Sequence, residues 1–147
     1  MLVPRKSRYA LRAVFELAKR SGQGPVNVAE IAGAQAIPPR FLEVILNQLK
    51  QAGLVASHRG KQGGYYLPHA PSQVTVGDVM RATQGPVEPV DCAADGEDCP
   101  FLGECVFLPM WERVRKAMSD VYDHTTLQDL VDQERQRAEK YVASYAI

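Results

Sequence analysis

Three cysteines, Cys92, Cys99 and Cys105, fall within 14 residues and are spaced C-x6-C-x5-C in the stretch DCAADGEDCPFLGEC. An odd number of thiols cannot all pair, and with no secretory signal at the start of the chain a reducing cytoplasm is the expected setting, so a disulfide framework is not expected. Five carboxylates, Asp91, Asp95, Glu97, Asp98 and Glu104, surround the sulfurs. Such negative charge disfavours the nucleophilic thiolate and argues against a reactive thiol. A bound metal escapes that objection, because coordination deprotonates thiols outright. Soft thiolates with an apolar cover, here Phe101, Leu102, Val106 and Phe107, suit zinc or an iron-sulfur cluster. The tight C-x2-C pair of zinc fingers is absent, and the longer intervals let a loop wrap something larger than one ion. That favours an iron-sulfur cluster, with zinc as the alternative. A further ligand would come from His58, His69, His124 or a carboxylate.

A second constellation lies upstream. Arg40, Glu43, Asn47 and Lys50 recur at spacings of 3, 4 and 3, which places them on one face of a helix, opposite Phe41, Leu42, Ile45, Leu46 and Leu49. These polar types read base edges in a major groove: arginine binds guanine, asparagine binds adenine, and glutamate accepts from the cytosine amino group. A carboxylate among phosphates makes sense only with base readout, so Glu43 is assigned a specificity role. Downstream, HRGKQGG sets Arg59 and Lys61 on a glycine-rich tip. Arginine on such a tip suits a narrow minor groove.

The elements that must hold these residues can be read from caps and breakers. A helix over Ser7 to Arg20 is expected, with Ser7 as N-cap and Gly22 beyond its end; its two overlapping apolar stripes require cover on two sides, one of which a second subunit could supply. Asn27 and Glu30 resemble a capping box for a short second helix, which Pro38 and Pro39 end. The next helix spans about Pro39 to Gln51 and stops at Gly53. Two helices joined by a tight turn form a helix-turn-helix pattern. The arms Leu54 to Ser57 and Tyr65 to Leu67 then predict a β-hairpin, a wing in this context. A helix capped by Thr75 and ended by Gly85 follows, and the Pro/Gly-rich stretch from Pro86 to Cys105 reads as an ordered loop with neither helix nor strand. Phe107, Trp111, Val114, Met118 and Val121, at intervals of 4, 3, 4 and 3, form a coiled-coil-like seam that suits self-association. A last helix, capped by Thr125 or Thr126, could cross a partner subunit.

The expected fold is therefore mainly α with a small β-hairpin: a winged helix-turn-helix over residues 1–85, a cysteine-rich loop over 86–106 and a helical dimerisation region over 107–147. The net charge of zero hides a polarity. Met1 to Arg81 carries 11 Lys and Arg against 4 Asp and Glu, while Ala82 to Ile147 carries 6 against 13. A basic half favours a polyanion such as duplex DNA, because each cation placed on a phosphate releases condensed counterions. No apolar run approaches the roughly 18 residues that span a bilayer, so no membrane partner is expected. A thiol redox enzyme is the remote alternative, since there is no C-x-x-C, nucleotide-binding glycine loop or catalytic grouping near the thiols.

The succession SRYALRAVFELA, PPRFLEVILNQLKQAGLV, SHRGKQGGYYL, TVGDVMRATQGP and a three-cysteine loop resembles the Rrf2 family of bacterial winged-helix regulators over nearly the whole chain. The resemblance implies a homodimeric repressor or activator, repression being the expectation, whose operator affinity answers to a [4Fe-4S] or [2Fe-2S] iron-sulfur cluster sensing iron, nitric oxide or redox state. It implies Cys92, Cys99 and Cys105 as cluster ligands and Arg40, Glu43 and Arg59 as DNA contacts. Two departures leave the fourth ligand open. The histidine that some members place after the third cysteine is missing from VFLPM, and the carboxylate that others place in helix 1 is replaced by Arg8. Other members regulate through protein partners, and TTLQDL near the C-terminus resembles theirs. A zinc-bound or cofactor-free regulator under such a partner's control is the alternative.

Overall fold

The computed structural model describes residues 2–94, 99–101 and 103–145. The first helix, α1 (Arg5–Lys19), is followed by α2 (Val28–Gln35), α3 (Pro39–Gln51), the strands β1 (Ala56–His58) and β2 (Gly64–Tyr66), a 3₁₀ turn at Pro71–Gln73, α4 (Val76–Gln84), a single turn α5 (Asp91–Ala94), α6 (Leu108–Asp123) and α7 (Leu127–Tyr145). The mainly α fold with one hairpin is the expected one.

Helix α1 is the centre of the molecule and packs against α2, α3, α4 and α7. Its Ala10, Ala13, Val14 and Leu17 join Ile31, Leu42, Ile45, Leu46, Leu49 and Val79 in one core. The second cover that its apolar surface demands comes from this same chain: Leu127 and Val131, in the first turns of α7, lie in that core. A backbone bridge pairs Thr75 with Thr126, and Leu127 N–H donates to the Val74 carbonyl at 2.9 Å. From Gln133 to Ser144 the last helix is exposed.

Local chemistry explains most element ends. Asn27 accepts from the Glu30 N–H, though the Glu30 carboxylate takes the Asn27 side-chain amide and not its backbone, so only half of the capping box forms. Ala36, with φ of 49°, makes the left-handed step between α2 and α3. At the end of α3 the Gly53 N–H reaches the Lys50 carbonyl and the Leu54 N–H reaches that of Leu49, a Schellman closure that turns the chain toward the hairpin. Thr75 and Asp78 form a complete capping box on α4, and Thr126 with Asp129 closes α7 in the same way.

Three expectations are corrected. Helix α1 begins after Pro4, and Ser7 is buried within it, where its hydroxyl donates to Gln84 Oε1 at 3.1 Å and lies 3.0 Å from that of Thr83. A serine near an apolar stripe signals a cap only when the turn before it is absent. Phe41 is not on the buried face of α3, because it sits one residue to the side of the strip formed by Leu42, Ile45, Leu46 and Leu49. The stretch after Pro86 is not wholly loop, since Asp91 to Ala94 close one helical turn.

Candidate nucleic-acid interface and cysteine loop

Helix α3 is held from behind and bare in front. Its buried residues enter the core, and the Gln48 amide donates to the Ala82 carbonyl of α4 at 2.9 Å, fixing its roll. Arg40, Glu43 and Asn47 are exposed and, among the described residues, engage no side-chain partner. Lys50 is exposed too, but its Nζ donates to Ser57 Oγ on β1 at 2.6 Å, so it ties the helix to the hairpin.

The hairpin is antiparallel, with Ala56 opposite Tyr66 and His58 opposite Gly64, and His58 stacks on Tyr66 at 4.9 Å. Val26 supplies an unexpected third edge: its N–H and carbonyl both bond Tyr65 at 2.8 Å. Arg59 and Lys61 stand exposed on the tip. Helix-turn-helix, hairpin and basic tip are thus joined by hydrogen bonds and present the exposed side chains of Arg40, Glu43, Asn47, Arg59 and Lys61.

A buried polar network sets the angle of the helix-turn-helix. Glu16 on α1 is 3% exposed and receives Arg20 Nε at 2.8 Å and the Gln35 amide at 2.7 Å. Arg20 also meets Glu30 at 2.9 Å, and the Arg12 guanidinium donates to the Gln35 carbonyl. Burial alone would raise the Glu16 pKa, but the hydrogen bonds from Gln35 and Arg20 and the charge of Lys19 together hold it below the usual carboxylate range. Sequence reading missed this network; its only trace is the i,i+4 pairing of Glu16 and Arg20.

The cysteine loop is less assembled. Cys92 is exposed on α5, Cys99 and Cys105 are half-buried, and all three are free thiols. Among the described residues no three His, Cys, Asp or Glu side chains stand together as a metal-holding group. The three thiols are thus not gathered around a common centre among the described residues. Of the expected surroundings, Asp95, Glu97, Asp98 and Leu102 lie outside the described residues, while Phe101, Val106 and Phe107 are exposed.

Phe107, the residue before α6, is exposed; on the helix Trp111 and Val114 are half-buried and Val121 exposed, while Met118 packs with Val76, Met80 and Val87 in a second small core of its own chain. Arg81 on α4 locks to Asp123 at the end of α6 at 2.7 Å.

The profile of Rrf2, described as an iron-dependent transcriptional regulator, matches residues 3–133. The chain belongs to the Rrf2 family. It is 38% identical to the transcriptional regulator CymR of Bacillus subtilis across 97% of this chain and 98% of that protein. It is 35% identical to the IscR regulator of Erwinia tasmaniensis across 90% of this chain and 79% of that one. Among solved structures, that of B. subtilis CymR, described as a global cysteine regulator, superposes with a TM-score of 0.77 at 37% identity, covering 90% of this chain and 98% of that one. This Rrf2 protein is therefore a DNA-binding transcription regulator and not an enzyme, and its fold is the winged helix of those relatives. Among the described residues no helix is long and apolar enough to cross a membrane.

Proposed function

We propose that this Rrf2 regulator is a homodimer that reads an operator with α3 in the major groove and Arg59 and Lys61 at the minor groove, and that the state of the Cys92–Cys105 loop sets its affinity. The exposed, unpartnered face of Arg40, Glu43 and Asn47 on an otherwise anchored helix carries this reading. Two such helices about one helical turn of DNA apart would read a palindromic site. The loop joins α4 to α6, so its conformation bears on the spacing of the two helices. A tenfold change in operator affinity needs only about 1.4 kcal/mol of differential binding.

The iron dependence in the family's description and three free thiols within one loop support an iron-sulfur cluster held by Cys92, Cys99 and Cys105 as the signal. The dispersed placement of those thiols, with the similarity to a cysteine regulator, favours a second reading: a cofactor-free or zinc-bound regulator under a partner protein's control.

Two measurements on full-length protein purified without oxygen test this. Titration against duplexes selected from a random pool should show affinity falling steeply with salt and lost in Arg40→Ala; salt-insensitive binding would sink the DNA-reading claim. Visible absorption with matched iron and sulfide would support the cluster. A colourless protein that reconstitution cannot change would move the assignment to the second reading.

A further inference from the structure

Two apolar side chains stand on the face of α3 that the core does not use: Phe41, 63% exposed, and Val44, 64% exposed. At about 100° per residue, Val44 lies about 40° from Arg40 and about 60° from Asn47 around the helix axis, with Phe41 flanking it on the side away from Glu43. A surface that receives Arg40 and Asn47 therefore receives Val44 as well. No described segment of this chain covers either side chain.

The patch is only two residues wide and bordered by Arg40, Asn47 and Gln51, all exposed, which is small for a protein-docking surface. It matches a different feature. The floor of the major groove offers one apolar group, the 5-methyl of thymine, and side chains placed among base-reading residues can pack on it. We infer that Val44, with Phe41 beside it, is a specificity-determining residue that recognises thymine methyl groups in the operator. This rests on the reading that α3 enters the major groove, and it adds a requirement for thymine to the hydrogen-bond readout by Arg40, Glu43 and Asn47.

Burying one methyl is worth roughly 0.8 kcal/mol, which corresponds to about a fourfold change in affinity. The test uses the full-length protein and its best duplex from a random pool, synthesised with thymine or with deoxyuridine at each position in turn. Deoxyuridine keeps every hydrogen-bonding group and removes only the methyl. Wild type should lose about fourfold at one or two thymines in each half-site and nothing at positions outside the footprint. Val44→Ala should bind the thymine duplex more weakly and no longer distinguish the two, and Phe41→Ala should reduce the discrimination. Both residues are exposed, so the variants should keep the wild-type melting temperature.

Equal binding of thymine and deoxyuridine duplexes by wild type would overturn the inference, as would selected sites lacking thymine or a methyl effect that persists undiminished in Val44→Ala. Each of those outcomes leaves DNA binding intact. Failure of the protein to bind any duplex in a salt-sensitive manner would instead remove the reading on which the inference stands.

Discussion

Glu16 is the one carboxylate buried in the core among the described residues, and its partners span α1 and the end of α2. Because its folded-state pKa lies below the ordinary glutamate value of 4.5, it contributes stability that is present above about pH 4.5 and is lost as pH falls through the lower folded value. Arg20 and Lys19 are each about a third exposed, so solvent screens the charge and the loss on Glu16→Gln should be about 2 kcal/mol. Urea unfolding should show that gap between wild type and variant at pH 7 and its narrowing as the pH is lowered below about 4.5. A gap that stays constant across this range would mean that packing, not the carboxylate charge, is what the substitution disturbs. The same network orients α2 against α1, so operator affinity should fall in the variant even at temperatures where it remains folded.

At the scale of elements, the wing is held by its third edge. Gly64 lies against the backbone of Val26, and a Cβ there would meet the Val26 carbonyl group and, at 2.9 Å, the Asn27 nitrogen. Backbone cannot step aside as a side chain end can, so Gly64→Ala should cost about 1–3 kcal/mol and loosen the Val26–Tyr65 bridge. Hydrogen exchange at the Val26 and Tyr65 amides should quicken in the variant. The tip itself is separable: Arg59→Ala leaves those bonds alone and should reduce the slope of log affinity against log salt by about 0.9 if its guanidinium neutralises one phosphate. An unchanged slope would place the wing tip away from DNA. The sequence announced the hairpin through its glycines and β-prone arms, and it announced α3, from about Pro39 to Gln51, through Pro39 and Gly53. It could not announce Val26, since a single bridging residue from another segment leaves no periodic mark. The same limit applies to Ser7, which looks like a cap until Pro4 is seen to start the helix one turn earlier. It applies also to Phe41, whose position at the edge of the apolar arc is decided by what packs beside it.

At the scale of the whole molecule, α6 shows how neighbours choose between two possible seams. The pattern Phe107, Trp111, Val114, Met118 and Val121 is regular, but Met118 is drawn into the second core against Met80 and Val87. What remains toward solvent is Phe107, Met110, Val114, Ala117 and Val121, at spacings of 3, 4, 3 and 4, with Val114 half-buried and the others exposed. That is an equally good heptad stripe, rotated by a fraction of a turn from the first. If the protein dimerises through α6, this rotated stripe is the surface that a second copy must cover. The double substitution Met110→Glu and Val121→Glu places two charges in that seam without touching the chain's own core. It should convert a sedimenting dimer into a helical monomer and weaken binding to a two-half-site duplex far more than to a single half-site. Met118→Ala should do the reverse, removing about 2–3 kcal/mol of folding stability with little direct effect on self-association. A double variant that still sediments as a dimer would place the interface elsewhere, for instance on the exposed second half of α7 with Tyr141 and Val142. The loop of Cys92 to Cys105 would then no longer lie between the DNA-reading helices and their point of contact.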